Sequence, residues 1–120
     1  MTIEISRVDP FDPVDVDAWW EAYAAAERAD RGADAVVWSL DESRSELQQE
    51  SAVVDRQAYL LRDGDEVVGS ASLALPLKDN THIAHLAISV PPRHRRRGVG
   101  SATLAFLESE AVASGRTTAH

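Results

Sequence analysis

Ile88-Ser89-Val90-Pro91-Pro92-Arg93-His94-Arg95-Arg96-Arg97-Gly98-Val99-Gly100 decides how this chain is read. An apolar strand runs into a Pro-Pro turn, a basic loop and two glycines follow, and a helix is expected to open at Ser101. The first backbone N–H groups of a helix have no partner within it, and the helix dipole adds partial positive charge there. Glycines let the main chain come close to an anion, and arginines supply charge-assisted hydrogen bonds. The order predicts a site for a ligand carrying a pyrophosphate or several phosphates.

Outward from this stretch, residues 101–114 read as a helix with Leu104, Leu107, Ala111 and Val112 as its buried stripe. Gly115 is a natural stop, and residues 116–119 look like the start of another strand. Upstream, residues 82–90 form a strand, reached through a turn at Lys78-Asp79-Asn80. Residues 58–62 and 66–77 form a hairpin around Asp63-Gly64-Asp65. Ser39-Leu40-Asp41-Glu42 is a capping-box pattern that starts a helix over 40–49. A longer helix spans 14–30, capped by Asp12 or Asp15, with Val16, Trp19, Trp20, Tyr23 and Ala26 at helical spacing. Ile3, Ile5 and Arg7 mark a first strand.

The basic stretch resembles the acetyl-CoA-binding motif of the GNAT (Gcn5-related) N-acetyltransferases. The family pattern is Arg/Gln-x-x-Gly-x-Gly/Ala after a strand of small and aliphatic residues. Here it reads Arg95-Arg96-Arg97-Gly98-Val99-Gly100 after Leu86-Ala87-Ile88-Ser89-Val90. The resemblance implies the GNAT acyl-CoA N-acyltransferase fold, an α/β (α+β) arrangement with a mixed, mostly antiparallel central sheet flanked by helices. The order β-α-α-β-β-β-α-(β) matches the first two thirds of that fold, so residues 1–120 are expected to form a single, partial domain truncated after the motif helix. The resemblance further implies that main-chain groups of Ile88 and Val90 pair with the pantetheine amides of acetyl-CoA, with Ser89 between them. It places Arg95, Arg96, Arg97, Gly98, Val99, Gly100 and Ser101 around the pyrophosphate, and the Val90 N–H against the thioester carbonyl.

Two other phosphate-binding readings lose. A dinucleotide fingerprint at Gly98-Val99-Gly100-Ser101-Ala102-Thr103 puts Thr103 where close helix–strand packing needs a glycine or alanine. A P-loop is excluded because no Gly-Lys-Ser/Thr occurs.

Composition narrows the function further. The formal net charge is −8, with 14 acids against 5 Lys/Arg in residues 1–60 and 6 against 7 in residues 61–120. A single basic patch at Arg93, Arg95, Arg96 and Arg97 on an acidic chain suits a small anionic ligand, not a nucleic acid. No apolar run is long enough to span a bilayer, and the N-terminus lacks the pattern of a secretory signal, so no membrane partner is expected. The absence of cysteine excludes disulfides and thiol chemistry and fits a cytoplasmic location.

Acetyl transfer needs a neutral amine, a polarised thioester carbonyl and a proton for the departing thiolate. By the resemblance, one frequent position of the base is Ala84, which cannot serve. His82 and His85 flank it and are the candidate bases, since histidine as a residue type suits that role. On a regular strand His82 shares a face with Ala84 while His85 takes the opposite one, so no metal site is expected from the pair. The expected reaction is acetyl-CoA-dependent acetylation of a primary amine on a small molecule or peptide. The rival is a non-catalytic acyl-CoA-binding or regulatory module, or half of a tandem or paired protein. A homodimer, or pairing with a further C-terminal segment, is expected to cover the open sheet edge.

Overall fold

In the computed structural model, which describes residues 2–120, strands and helices follow the expected order. β1 (Ile3–Arg7) leads to α1 (Pro13–Arg31), α2 (Leu40–Gln48), β2 (Val54–Asp63), β3 (Glu66–Pro76), β4 (Ile83–Ser89), α3 (Val99–Ala113) and the two-residue β5 (Thr118–Ala119). β1 to β4 pair antiparallel in sequence order, and β5 joins the far side of β4 in parallel. A parallel partner requires a crossover connection, which α3 supplies. None of the described helices is long and apolar enough to cross a membrane.

Local chemistry sets the element ends. The Asp12 carboxylate accepts from Val14 N–H at 2.9 Å and Pro13 occupies the first turn, so α1 starts there; Gly32, at φ 55, ends it. Ser39 Oγ accepts from Glu42 N–H at 3.1 Å while Ser39 N–H donates to Glu42 Oε1 at 3.2 Å, completing the capping box of α2. The β2–β3 hairpin turns through Gly64 at φ 62, and its register slips between Leu61 and Arg62. β2 starts at Val54, earlier than residue 58, because polar Asp55, Arg56 and Gln57 pair with Leu75, Ala74 and Leu73.

Alternation along the strands divides the core in two. Tyr59, Leu61, Leu73 and Ala84 pack with Leu107 and Ala111 of α3. Ala58 and Leu60 pack on the other face with Val8, Val16, Trp19, Leu40 and Leu47. Trp19 Nε1–H donates to the Ala71 carbonyl at 3.0 Å, and Ser70 Oγ–H donates to the Trp19 carbonyl at 2.9 Å, tying α1 to β3. Trp20 Nε1–H donates to the Trp38 carbonyl at 2.7 Å, and Trp38 N–H donates to Tyr23 Oη at 3.2 Å. The aromatic stripe of α1 thus fastens both the sheet and the α1–α2 connection.

The helix after the basic loop departs from expectation. It begins at Val99, two residues before Ser101, and its buried row is Val99, Thr103, Leu107 and Ala111. Leu104 is 42% exposed and Val112 72% exposed. Positions four apart along a helix share a face, and with about 3.6 residues per turn Leu104 falls at the margin of that row and Val112 on the outer side.

Candidate functional site

β4 delivers the chain to Ser89 and Val90, a 3-10 turn follows at Pro92–His94, and α3 opens behind the loop. Arg96 (φ 65) and Gly98 (φ 80) have left-handed backbones, a conformation costly for arginine and free for glycine. Turns of this kind gather N–H groups into an anion-binding concavity. No side chain caps α3 at Gly98, and the first intrahelical bond runs from Ala102 N–H to the Gly98 carbonyl at 3.0 Å. The amides of Val99, Gly100 and Ser101 precede that bond and have no acceptor within the helix. A Cβ on Gly100 would meet nothing within 4 Å. No contact within the protein therefore calls for glycine at this position.

A cavity of about 460 Å³ lies beside this helix start. Ile88, Ser89, Val90, Arg95, Gly100 and Ser101 line one side. Ala26, Glu27 and Asp30, from the last turns of α1, close the other, and Leu104 completes the wall. Six of the ten residues expected around the cofactor therefore meet at one cavity, while Arg96, Arg97, Gly98 and Val99 do not line it. The Val99 side chain is buried in the core. Arg96 and Arg97 are exposed, and Arg97 Nη1 lies 3.9 Å from Glu66 Oε1.

Arg95 is held twice. Its Nε–H donates to the Val90 carbonyl at 2.8 Å, and Nη2 lies 2.8 Å from Asp30 Oδ1. Nothing in the local sequence pattern announces this contact, because it joins the basic loop to the end of α1. His94 is also unanticipated: it is 2% exposed, its Nε2 accepts from Arg93 Nε–H at 3.0 Å, and its Nδ1 lies 3.8 Å from Glu66 Oε1. Its imidazole sits beside Glu66, the first residue of β3, with Nδ1 making no hydrogen bond.

The β4 edge continues the site. Leu86 N–H donates to the His120 carbonyl at 2.7 Å, and β5 pairs with β4 only at Ile83 and Ala84. The N–H and C=O of alternate strand residues point to the same side, so those of Ile88 face the β5 side beyond the pairing. A second cavity, about 590 Å³, adjoins the first along Ile88 and Leu104 and runs past Leu86, Val112 and His120.

The candidate bases lie toward the other end of β4. Ala84 is fully buried against α3. His85 is exposed on the opposite face, its ring centroid 6.5 Å from that of His120. His82, just before β4, is exposed, and its carbonyl accepts from the Thr117 and Thr118 amides at 2.9 and 3.1 Å. β4 pairs with β3 without a register shift over residues 85–89, and His82 lies in the turn before the strand, outside its alternation. Among the described residues no three His, Cys, Asp or Glu side chains are grouped to hold a metal ion.

A family model described as the acetyltransferase (GNAT) family matches residues 15–119. Among solved structures, a tandem GNAT protein from the clavulanic acid biosynthesis pathway, without AcCoA, aligns with a TM-score of 0.83 and 28% identity over 98% of this chain. That alignment covers 35% of the tandem protein, so this chain spans about a third of its length. An aminoglycoside acetyltransferase from an uncultured soil metagenomic sample, in complex with sisomicin, aligns at TM-score 0.73 and 12% identity, covering 98% of this chain and 75% of that one. An aminoglycoside 6'-N-acetyltransferase complexed with coenzyme A aligns at TM-score 0.67 and 22% identity, covering 94% of this chain and 57% of that one. No curated protein matches the chain.

Proposed function

The chain belongs to the GNAT acetyltransferase family, and on that premise we propose that it binds acetyl-CoA at the β4–α3 loop and transfers the acetyl group to a primary amine. The observation that carries this reading is the uncapped start of α3, open at Gly100, beside the unpaired stretch of β4 at Ile88. The amides of Val99, Gly100 and Ser101, the Ser101 hydroxyl and the Arg95 guanidinium take the pyrophosphate. Ile88 and Val90 take the pantetheine arm as an added strand would be taken. The amine attacks the thioester carbonyl, whose oxygen is stabilised by the Val90 N–H as negative charge develops. The carbon–sulfur bond breaks, the thiolate takes up a proton, and the new amide gives up the ammonium proton to a base. His85 and His82 are the side chains proposed for that base. The acceptor is a small-molecule or peptide amine.

Calorimetric titration with acetyl-CoA tests the reading against Gly100→Phe, whose ring would fill the open space at the helix start. Saturable binding by the wild type, lost in a variant that keeps its circular dichroism and Tm, is expected. A folded wild-type chain that does not bind acetyl-CoA overturns it.

A second reading is an acyl-CoA-binding module that works as one part of a paired protein. It draws on buried Ala84, on the outward-facing Leu104 and Val112, and on the tandem neighbour. It predicts tight CoA binding without acetylation of any amine in a panel, whereas the enzyme reading predicts turnover of at least one.

A further inference from the structure

Resting on the acyl-CoA reading, we propose that Asp30 is an internal competitor for the phosphate ligand, holding by its carboxylate the Arg95 fork that the pyrophosphate also needs. The 2.8 Å contact between Asp30 Oδ1 and Arg95 Nη2 crosses the cavity from α1 to the basic loop. A guanidinium has five N–H donors in a fixed plane. Here Nε–H donates to the Val90 carbonyl and Nη2 lies in ion-pair contact with Asp30 Oδ1, so this edge of the guanidinium faces α1. Phosphate and carboxylate oxygens are recognised by the same planar geometry, and both cannot take one edge of the fork at once.

α1 itself gives Asp30 little support. The residue sits in the last turn, where the helix dipole is negative, and Glu27 lies one turn earlier on the same cavity wall. Glu27 is paired with Arg31 at 3.4 Å, whereas the cation beside Asp30 is Arg95. Binding of a polyanion next to Arg95 therefore replaces one anion by another and leaves Asp30 facing it. Both partners are about half exposed, so solvent limits the effect. Asp30 is a positioning residue: it acts on the ligand through Arg95, and by linkage the ligand loosens the Asp30–Arg95 contact by the same factor.

The test is calorimetric binding of CoA and, separately, of inorganic pyrophosphate to the wild type, Asp30→Asn, Arg95→Gln and the double variant, each checked for an unchanged fold. Asp30→Asn is expected to bind both ligands about three- to fivefold more tightly, and this gain is expected to vanish in the Arg95→Gln background. A gain in affinity is not what a damaged fold produces. Equal or weaker binding by Asp30→Asn overturns the proposal, as does an equal gain in the Arg95→Gln background, which would mean general charge repulsion. If pyrophosphate gains while CoA is bound by none of the proteins, the acyl-CoA reading falls and the competition stands. If CoA binds the wild type and Asp30→Asn equally, the competition falls and the acyl-CoA reading stands. If a folded chain binds neither ligand, both fall.

Discussion

Gly69 lies directly against Ser89: a Cβ built on Gly69 would stand 2.7 Å from the Ser89 carbonyl oxygen, and 3.4 Å from Val90 Cγ2. The same Cβ would meet Leu61 Cδ1 at 3.0 Å. The glycine on β3 thus lets the end of β4 settle where the chain leaves the sheet for the basic loop. Its reason is packing within the protein, in contrast to Gly100, around which there is open space.

Gly69→Ala is therefore expected to destabilise the fold. A glycine-to-alanine change without steric conflict would stabilise by about 0.4–1 kcal/mol through the unfolded chain. A clash with backbone cannot be relieved by a rotamer change, and overpacking costs typically about 1–3 kcal/mol. The net loss, read from urea unfolding, should be about 1–2 kcal/mol. Because Ser89 and Val90 must move, affinity for acetyl-CoA should fall as well. An alanine variant with wild-type stability and affinity would show that β4 yields without consequence.

α2 offers a separate test. It has nine residues, short enough that its terminal bonds matter, and it brings Leu40 and Leu47 onto the Leu60 cluster. Ser39→Ala removes the acceptor of the Glu42 amide and should cost about 1 kcal/mol in urea unfolding. Ser39→Asp, which keeps an acceptor at the cap, should recover most of it. Acetyl-CoA binding should not respond to either change, since the cap lies outside both cavities. Failure of the aspartate to rescue would mean that the hydroxyl is not what starts α2.

Tyr59 should make the fold sensitive to alkali. It is 4% exposed, packs edge-on against Phe106, and donates from its hydroxyl to Gln57 Oε1 at 2.6 Å. Burial raises the pKa of the hydroxyl above the ordinary 10.0, partly offset by the nearby Arg7 guanidinium. A folded-state pKa above the unfolded value means that the folded state holds the proton longer. The associated stability is complete below pH 10 and is lost as pH rises from there through the folded-state value. Tm followed between pH 8 and 11.5 should fall less steeply above pH 10 in Tyr59→Phe than in the wild type. Parallel curves would remove Tyr59 as the source.

Local signals carried much of the fold. Ser39 and Glu42 are three residues apart and Gly64 needs only its neighbours, so the α2 start and the β2–β3 hairpin were legible. The loop from Arg95 to Gly100 was legible too, because helix-start chemistry is written in consecutive residues. What stayed hidden depends on partners distant in the chain. Val54–Gln57 lacks an apolar strand pattern and is strand because β3 lies beside it. His94 reads as one more basic loop residue, yet the fold buries it. The Asp30–Arg95 contact joins two ordinary surface charges across a cavity, and neither neighbourhood signals the other. Leu104 and Val112 are apolar at helical spacing, yet the row that packs on the sheet is Val99, Thr103, Leu107 and Ala111, and both face away from it.

Of the two histidines proposed as proton acceptor, His85 on β4 is better placed than His82, which precedes the strand. His85 stands five residues from Val90, whose N–H is proposed to hold the thioester carbonyl, about 17 Å along the chain, and projects from the face opposite buried Ala84. That span exceeds direct hydrogen-bond reach, so His85 would receive the amine proton through a chain of several waters. His82 lies farther from Ile88, and its carbonyl is already engaged by the residue 117 and 118 amides. With acetyl-CoA and the amine that turns over fastest, His85→Ala should lose about a hundredfold in kcat, with acetyl-CoA affinity unchanged. His82→Ala should keep the wild-type rate. If His85→Ala keeps the rate, the amine is deprotonated before it enters, and the protein contributes orientation and carbonyl polarisation alone.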